Sequence, residues 1–140
     1  MIAYLDSSVA LRHILNGGVA IRHALACGTV VSSELLEIEC RRVLHRFRLA
    51  GALDDDGYVT AVSRLAAVLD GVSLVALSAK VKRRAMDAFP VTVGTLDALH
   101  LSSALAVVDA EPAEEVLVFS HDGAMNRCAA ALGLAAPLAD

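Results

Sequence analysis

Short apolar runs alternate along the chain with longer segments of helical period. Ile2 to Leu5 is a continuous apolar run of strand length, and after Asp6-Ser7-Ser8 the apolar positions recur at helical spacing through Leu15. Gly17-Gly18 breaks that helix, a second reaches about Cys27, and Gly28 leads into the β-branched run Thr29-Val30-Val31. Ser32-Ser33 supplies capping hydroxyls and predicts a helix start, with the helix running to Gly51. Asp54-Asp55-Asp56 opens the next helix, its acids placed at the positive end of the macrodipole. Val72 to Leu77 predicts a third strand, and Ser78 to Phe89 a basic helix stopped at Pro90. Gly94-Thr95 precedes a helix from Leu96 to about Val108. Val116 to Phe119 predicts a fourth strand, Gly123 to Leu132 a last helix capped by Gly133, and Leu134 to Asp140 a short edge strand.

Strands separated by helices require crossover connections, which build a mainly parallel sheet covered on both faces. The expected fold is therefore α/β, a doubly wound three-layer sandwich. With 140 residues and no repeat or linker, residues 1–140 are expected to form a single domain. Ligands of such sheets bind beyond the carboxyl ends of the strands.

Composition narrows the function. Charged residues are 20% and hydrophobic ones 56%, a globular balance, but aromatics are only 4%, so stacking platforms for single-stranded bases are not expected. A net charge of −4 excludes a uniformly basic binder of polyanions. The basic residues are nonetheless clumped, at Arg41, Arg42, Arg46 and Arg48 and at Lys80, Lys82, Arg83 and Arg84. Two solvated helix faces are the favoured explanation of these clusters, with a phosphate track as the alternative. Cys27, Cys40 and Cys128 are odd in number, lack a C-x-x-C pair and lie among apolar residues, as buried thiols in a reducing compartment would. With no membrane-length apolar run and no leader-like start, the protein is expected in the cytoplasm.

The candidate chemistry lies in carboxylates. Asp6 ends the first strand and Asp122 follows the fourth, where either could cap the next helix. Asp97 lies in a first helical turn, where an acid complements the dipole. Glu37 has Arg41 four residues on, an ordinary surface pair. Glu39 instead has Leu35 four before and Val43 four after, so it projects from the apolar side, and needs either Arg42 or a metal as partner. Together the four acids could converge on one cleft and hold Mg²⁺ or Mn²⁺, hard cations that suit phosphodiester displacement. Ser7, Ser8 and Ser120 could order water around such an ion.

The same residues resemble the PIN domain family. Tyr4-Leu5-Asp6-Ser7-Ser8 is similar to its opening block, with Ser7 where many relatives carry Thr. Ser33 to Leu44 is similar to the second block, with Glu39 in the place of the family's glutamate. Thr95-Leu96-Asp97-Ala98-Leu99-His100-Leu101 resembles the third, and Ser120-His121-Asp122 with Ala129 to Leu134 the fourth. The resemblance implies a Mg²⁺- or Mn²⁺-dependent endoribonuclease with Asp6, Glu39, Asp97 and Asp122 as catalytic, metal-holding acids supported by Ser7 and Ser120. It further implies a VapC-type toxin, usually a homodimer, paired with a VapB-like antitoxin. A PIN nuclease of RNA maturation or of DNA, or a silent PIN scaffold, are the alternatives.

The remaining candidates are weaker. His100, one turn from Asp97, is expected to be packed or hydrogen-bonded, and His121 could contact RNA although alternation points it away from Asp122. His13, His23 and His45 show no ligand spacing. An aspartyl phosphatase would need an acid where Ser8 stands, and a receiver domain an aspartate where Ser78 stands.

Overall fold

The structure, a computed structural model, describes residues 1–139. Four strands form one parallel sheet: β1 (Ile2–Leu5), β2 (Thr29–Ser33), β3 (Ser73–Val75) and β4 (Val116–Phe119), in the order β3-β2-β1-β4. The helices are α1 (Ser7–Asn16), α2 (Ala20–Leu25), α3 (Leu35–Leu49), α4 (Asp55–Asp70), α5 (Ala79–Ala85), α6 (Thr95–Ala110) and α7 (Gly123–Ala131).

β1 shows why a strand can be apolar throughout. It is central, and successive side chains alternate between two cores. Ala3 and Leu5 pack with Val9 and Ile14 of α1, Leu36 and Leu44 of α3 and Leu65 of α4. Ile2 and Tyr4 pack on the other face with Leu101 and Ala104 of α6 and Met125 and Cys128 of α7. The expected three-layer α/β sandwich is the observed fold. From β1 the chain winds outward through β2 to β3, then returns past β1 to β4. The winding therefore reverses between β1 and β4, whose carboxyl ends flank the crevice where such sheets bind ligands.

Several boundaries differ from the sequence reading. Ser32 and Ser33 do not start a helix; they extend β2, paired with Leu74 and Val75, and α3 begins at Leu35. Their hydroxyls tolerate burial because Ser32 Oγ donates to Leu5 O at 2.6 Å and Ser33 Oγ accepts from the Leu35 amide at 3.1 Å. β3 covers only part of Val72 to Leu77, since it is an edge strand paired with just Val31 to Ser33. α5 stops at Ala85, before Phe89; Val81 is its one buried residue, so little packing holds a longer helix. The tail makes a single parallel bridge, Ala135 with Leu117, instead of an edge strand, and Pro137 lacks the N–H a longer ladder needs. Asp140 lies outside the described residues.

Half of the clustered basic residues form surface pairs. Arg41 meets Glu37 and Arg48 meets Asp55, each at 2.7 Å, while Arg84 and Lys80 reach Asp109 at 2.9 and 3.8 Å. Cys40 and Cys128 are buried and Cys27 half-buried, all as free thiols. Among the described residues no helix is long and apolar enough to cross a membrane.

Candidate active site

Asp6 is placed by the sheet itself, because its amide donates to Phe119 O at 3.0 Å and prolongs the β1–β4 ladder by one residue. Its side chain does not cap α1. It is 4% exposed, and Oδ2 accepts hydrogen bonds from Ser8 Oγ at 2.7 Å and Ser120 Oγ at 2.8 Å. Behind these hydroxyls stand two amides: His121 N donates to Ser8 Oγ and Asp122 N to Ser120 Oγ, both at 3.0 Å. A hydroxyl has one proton to give, so the amides turn both protons onto Asp6. The serines thus orient the carboxylate, and their protons are not free to order water. His100 Nε2 lies 3.8 Å from Oδ1.

Glu39 has a different partner from the Arg42 that the sequence offers. Its Oε1 lies 2.5 Å from His100 Nε2, and its Oε2 accepts from Ser7 Oγ at 3.2 Å. Arg42 is exposed and makes no ion pair among the described residues. A carboxylate can only accept, so His100 Nε2 carries the proton of this bond. His100 Nδ1 faces the Tyr4 hydroxyl at 2.8 Å, and both rings are fully buried. Burial drives the Tyr4 hydroxyl far up in pKa, so it stays protonated and can donate to a neutral imidazole. Burial pulls His100 down, but the Glu39 hydrogen bond and the charges of Asp6, Glu39 and Asp97 outweigh it and leave its pKa raised. His100 is hydrogen-bonded, as expected, yet it stands inside the acid cluster. The signal was present in its position one turn from Asp97, on the face of α6 that meets the Tyr4 side of β1.

Asp97 lies in the first turn of α6, half-buried, and Asp122 caps α7 by accepting from Met125 N at 3.0 Å. For Asp122 the capping alternative is therefore realised, through Oδ1. Burial, followed by the charges of Asp122 and Asp6, pushes Asp97 up to about 6, with Glu39 adding to the shift and His100 opposing it. The four acids and His100 thus occupy one electrostatic neighbourhood at the β1–β4 crevice.

This shift predicts a pH dependence. Folded Asp97 binds its proton more tightly than the unfolded chain does, so its contribution to stability is full below about 3.8 and lost as pH rises to about 6. Two units equal ~3 kcal/mol, but partial exposure screens this to roughly 1 kcal/mol. In EDTA at pH 7, Asp97→Asn should melt roughly 2–4 °C above wild type, and the gap should close as pH falls to about 4. Thermal melts across that range test it; a gap independent of pH would show that Asp97 feels no such field.

The largest cavity described, about 830 Å³, lies beside the acids and not on them. It runs between α5 and α6, lined by Lys82, Met86, Phe89 and Val93, and reaches Thr95 and Ala98 on either side of Asp97. Exposed Ile38 and Leu96 are the chain neighbours of Glu39 and Asp97. The surface of the cavity beside Asp97 is largely apolar.

The family model for the PIN domain matches residues 3–129. The chain belongs to the PIN domain family. PIN domains are generally nucleases that hydrolyse phosphodiester bonds. Among solved structures, this PIN domain is similar to a chain of VapBC2 from Rickettsia felis, determined bound to a DNA fragment from the promoter of that pair. The TM-score is 0.67 at 15% identity, covering 91% of this chain and 93% of that one. At that identity the likeness concerns the fold. No curated protein matches the sequence.

Proposed function

We propose that this PIN domain is a Mg²⁺- or Mn²⁺-dependent endoribonuclease that acts as the toxin of a VapBC-like pair. The observation that carries the reading is the convergence of Asp6, Glu39, Asp97 and Asp122, registered in the rise of Asp97 to about 6. Like charges gathered at a strand-end crevice repel one another unless a cation joins them.

The donor set fits a hard divalent ion. It consists of carboxylate oxygens, and Asp6 Oδ1 and Asp97 accept no hydrogen bond from the surrounding hydroxyls. Mg²⁺ commonly takes one or two protein carboxylates and fills its shell with water and phosphate; among the described residues no group of three acidic, His or Cys side chains is arranged to hold an ion by itself. Asp6 and Asp97 would hold the ion, with Glu39 and Asp122 beside them. Bound there, it would neutralise charge on the phosphate and activate water for in-line attack. The chain's own contribution is orientation: Ser8 and Ser120 fix Asp6, and Ser7 and His100 fix Glu39.

Two further features support a protein partner. The acid cluster would welcome a cationic side chain, and the apolar α5–α6 cavity beside Asp97 would take the flanking residues of its chain. A VapB-like antitoxin tail with Arg or Lys among apolar residues has that chemistry, and a homodimer of this chain is proposed as the unit it inhibits. Purified protein should cleave RNA with Mg²⁺ or Mn²⁺, stop in EDTA and recover on re-addition, and a co-expressed cognate antitoxin should silence it. Undiminished cleavage in EDTA by protein free of metal on elemental analysis would sink the mechanism.

A further inference from the structure

Tyr4 stands in the middle of β1, paired with Val31 on one side and Val118 on the other, and is fully buried. Packing at that place asks only for a large apolar ring. A phenylalanine would meet the demand without burying a hydroxyl, which is unfavourable unless the hydroxyl is hydrogen-bonded. The Tyr4 hydroxyl finds its partner in His100 Nδ1, at 2.8 Å and ninety-six residues away along the chain. The two rings also meet edge to face, with centroids 5.8 Å apart and planes at 77°. Two contacts therefore hold the imidazole, and one of them is polar.

This grip works whatever the charge on the imidazole. The hydroxyls of Ser32 and Ser103 also reach Tyr4, but their protons go to Leu5 O at 2.6 Å and Leu99 O at 2.8 Å. Tyr4 can donate to a bare Nδ1, or accept from a protonated one and turn its own proton to a serine. Either way, Nε2–H is left facing Glu39 Oε1 at 2.5 Å. That is the shorter of the two bonds to this carboxylate, since Ser7 Oγ lies 3.2 Å from Oε2. Asp6 Oδ1, 3.8 Å from the same Nε2, is too far to share the proton, so the ring stands between two acids and bonds one.

Tyr4 and Asp6 are two residues apart, ~6.6 Å along a strand, and alternation puts both on the side of the sheet that meets α6. Glu39 comes from α3, a separate element. Through His100 and Tyr4 its carboxylate is tied to the same strand that delivers Asp6. We propose that Tyr4 is a positioning residue: it holds His100 with Nε2–H toward Glu39, and so sets the spacing at which Glu39 and Asp6 act on one ion. The inference rests on the metal-dependent nuclease reading for its consequence, and the tests below keep the two apart.

Tyr4→Phe keeps the ring and removes the hydroxyl. In metal-free wild type the buried Nε2–H of His100 should give a slowly exchanging, far-downfield proton resonance, assigned by its absence from His100→Gln. In Tyr4→Phe that resonance should broaden or vanish. Tyr4→Phe should also need roughly tenfold more Mg²⁺ to reach half of its thermal shift, and lose kcat by about as much with KM for RNA within about twofold, the low end for a group that orients a metal-holding one. His100→Gln supplies Glu39 with an N–H donor that does not depend on Tyr4. Adding Tyr4→Phe to it should therefore change the Mg²⁺ requirement and kcat no further. Val107→Ala, a cavity in the same core toward the far end of α6, should melt lower yet leave the resonance and the Mg²⁺ requirement unmoved. Should Tyr4→Phe not fold, fluorotyrosine at Tyr4 and Tyr58, the two tyrosines, alters the acidity of the hydroxyl and should shift the same resonance.

A Tyr4→Phe or fluorotyrosine protein with the wild-type resonance and Mg²⁺ requirement overturns the proposal while the nuclease reading stands. So does a Tyr4→Phe effect of equal size on the His100→Gln background, because Tyr4 would then act through packing alone. The expected changes in resonance and Mg²⁺ requirement, in a protein that cleaves no RNA, uphold the proposal and remove the nuclease reading. A wild type whose melting neither Mg²⁺ nor Mn²⁺ moves removes both.

Discussion

Asp6→Asn should lower RNA cleavage by about 100-fold or more, a loss of ~2.7 kcal/mol of transition-state stabilisation, while the protein stays folded. The direction follows from the hydrogen bonds. Ser8 and Ser120 both donate to Asp6 Oδ2, with amides behind them that keep their protons pointed there. An asparagine in this place must turn its carbonyl oxygen to the two serines, which puts its NH2 where Oδ1 now stands. The substitution preserves the buried contacts and replaces the open oxygen with a donor that repels a cation. A readout without catalysis gives the same answer. Saturating Mg²⁺ should raise the melting temperature of wild type, by mass action on the folded state, and leave that of Asp6→Asn nearly unmoved. An Asp6→Asn protein that cleaves RNA at the wild-type rate would remove Asp6 from the chemistry.

The parts of this molecule that were legible in the sequence are those where one residue's neighbours along the chain decide its environment. The continuous apolar run of β1 implied burial on both faces, and the alternation of strands with helices implied parallel pairing; both hold. The Glu37–Arg41 pair is likewise a matter of local spacing. Ser32 and Ser33 were misread because their helix-start chemistry is local while the competing pull, pairing with Leu74 and Val75 of β3, comes from residues about forty positions away. The partner of Glu39 was hidden for the same reason. Arg42 is three residues off on the same helix, whereas His100 is sixty-one residues away on the opposite side of the crevice. The pairing of Ser8 and Ser120 on one oxygen of Asp6 depends on β4 lying beside β1, which the alternation of elements does not specify. Sequence could nominate the acids one by one; only the strand order places them together.

Glu39→Gln and Glu37→Gln separate an acid of this cluster from an ordinary surface acid two residues away. If Glu39 belongs to the machinery, Glu39→Gln should reduce cleavage about 100-fold, and Glu37→Gln should leave it within about twofold. Stability gives a second discriminant. Removing the Glu39 charge relieves some repulsion on Asp97, although Glu39 is the weakest of the causes that raise it. Against this, Glu39 is the acceptor for buried His100, a charge-assisted bond worth roughly 1.5–3 kcal/mol. The second effect is larger, so metal-free Glu39→Gln should melt below wild type, by ~1 kcal/mol or more, a fall of roughly 2–4 °C or more. Glu37 and Arg41 are both substantially exposed, and such a pair contributes under ~1 kcal/mol, so Glu37→Gln should melt close to wild type. The decisive combination is a Glu39→Gln protein that melts lower and still cleaves at the wild-type rate. Glu39 would then serve only to hold His100, and the working acids would be Asp6, Asp97 and Asp122.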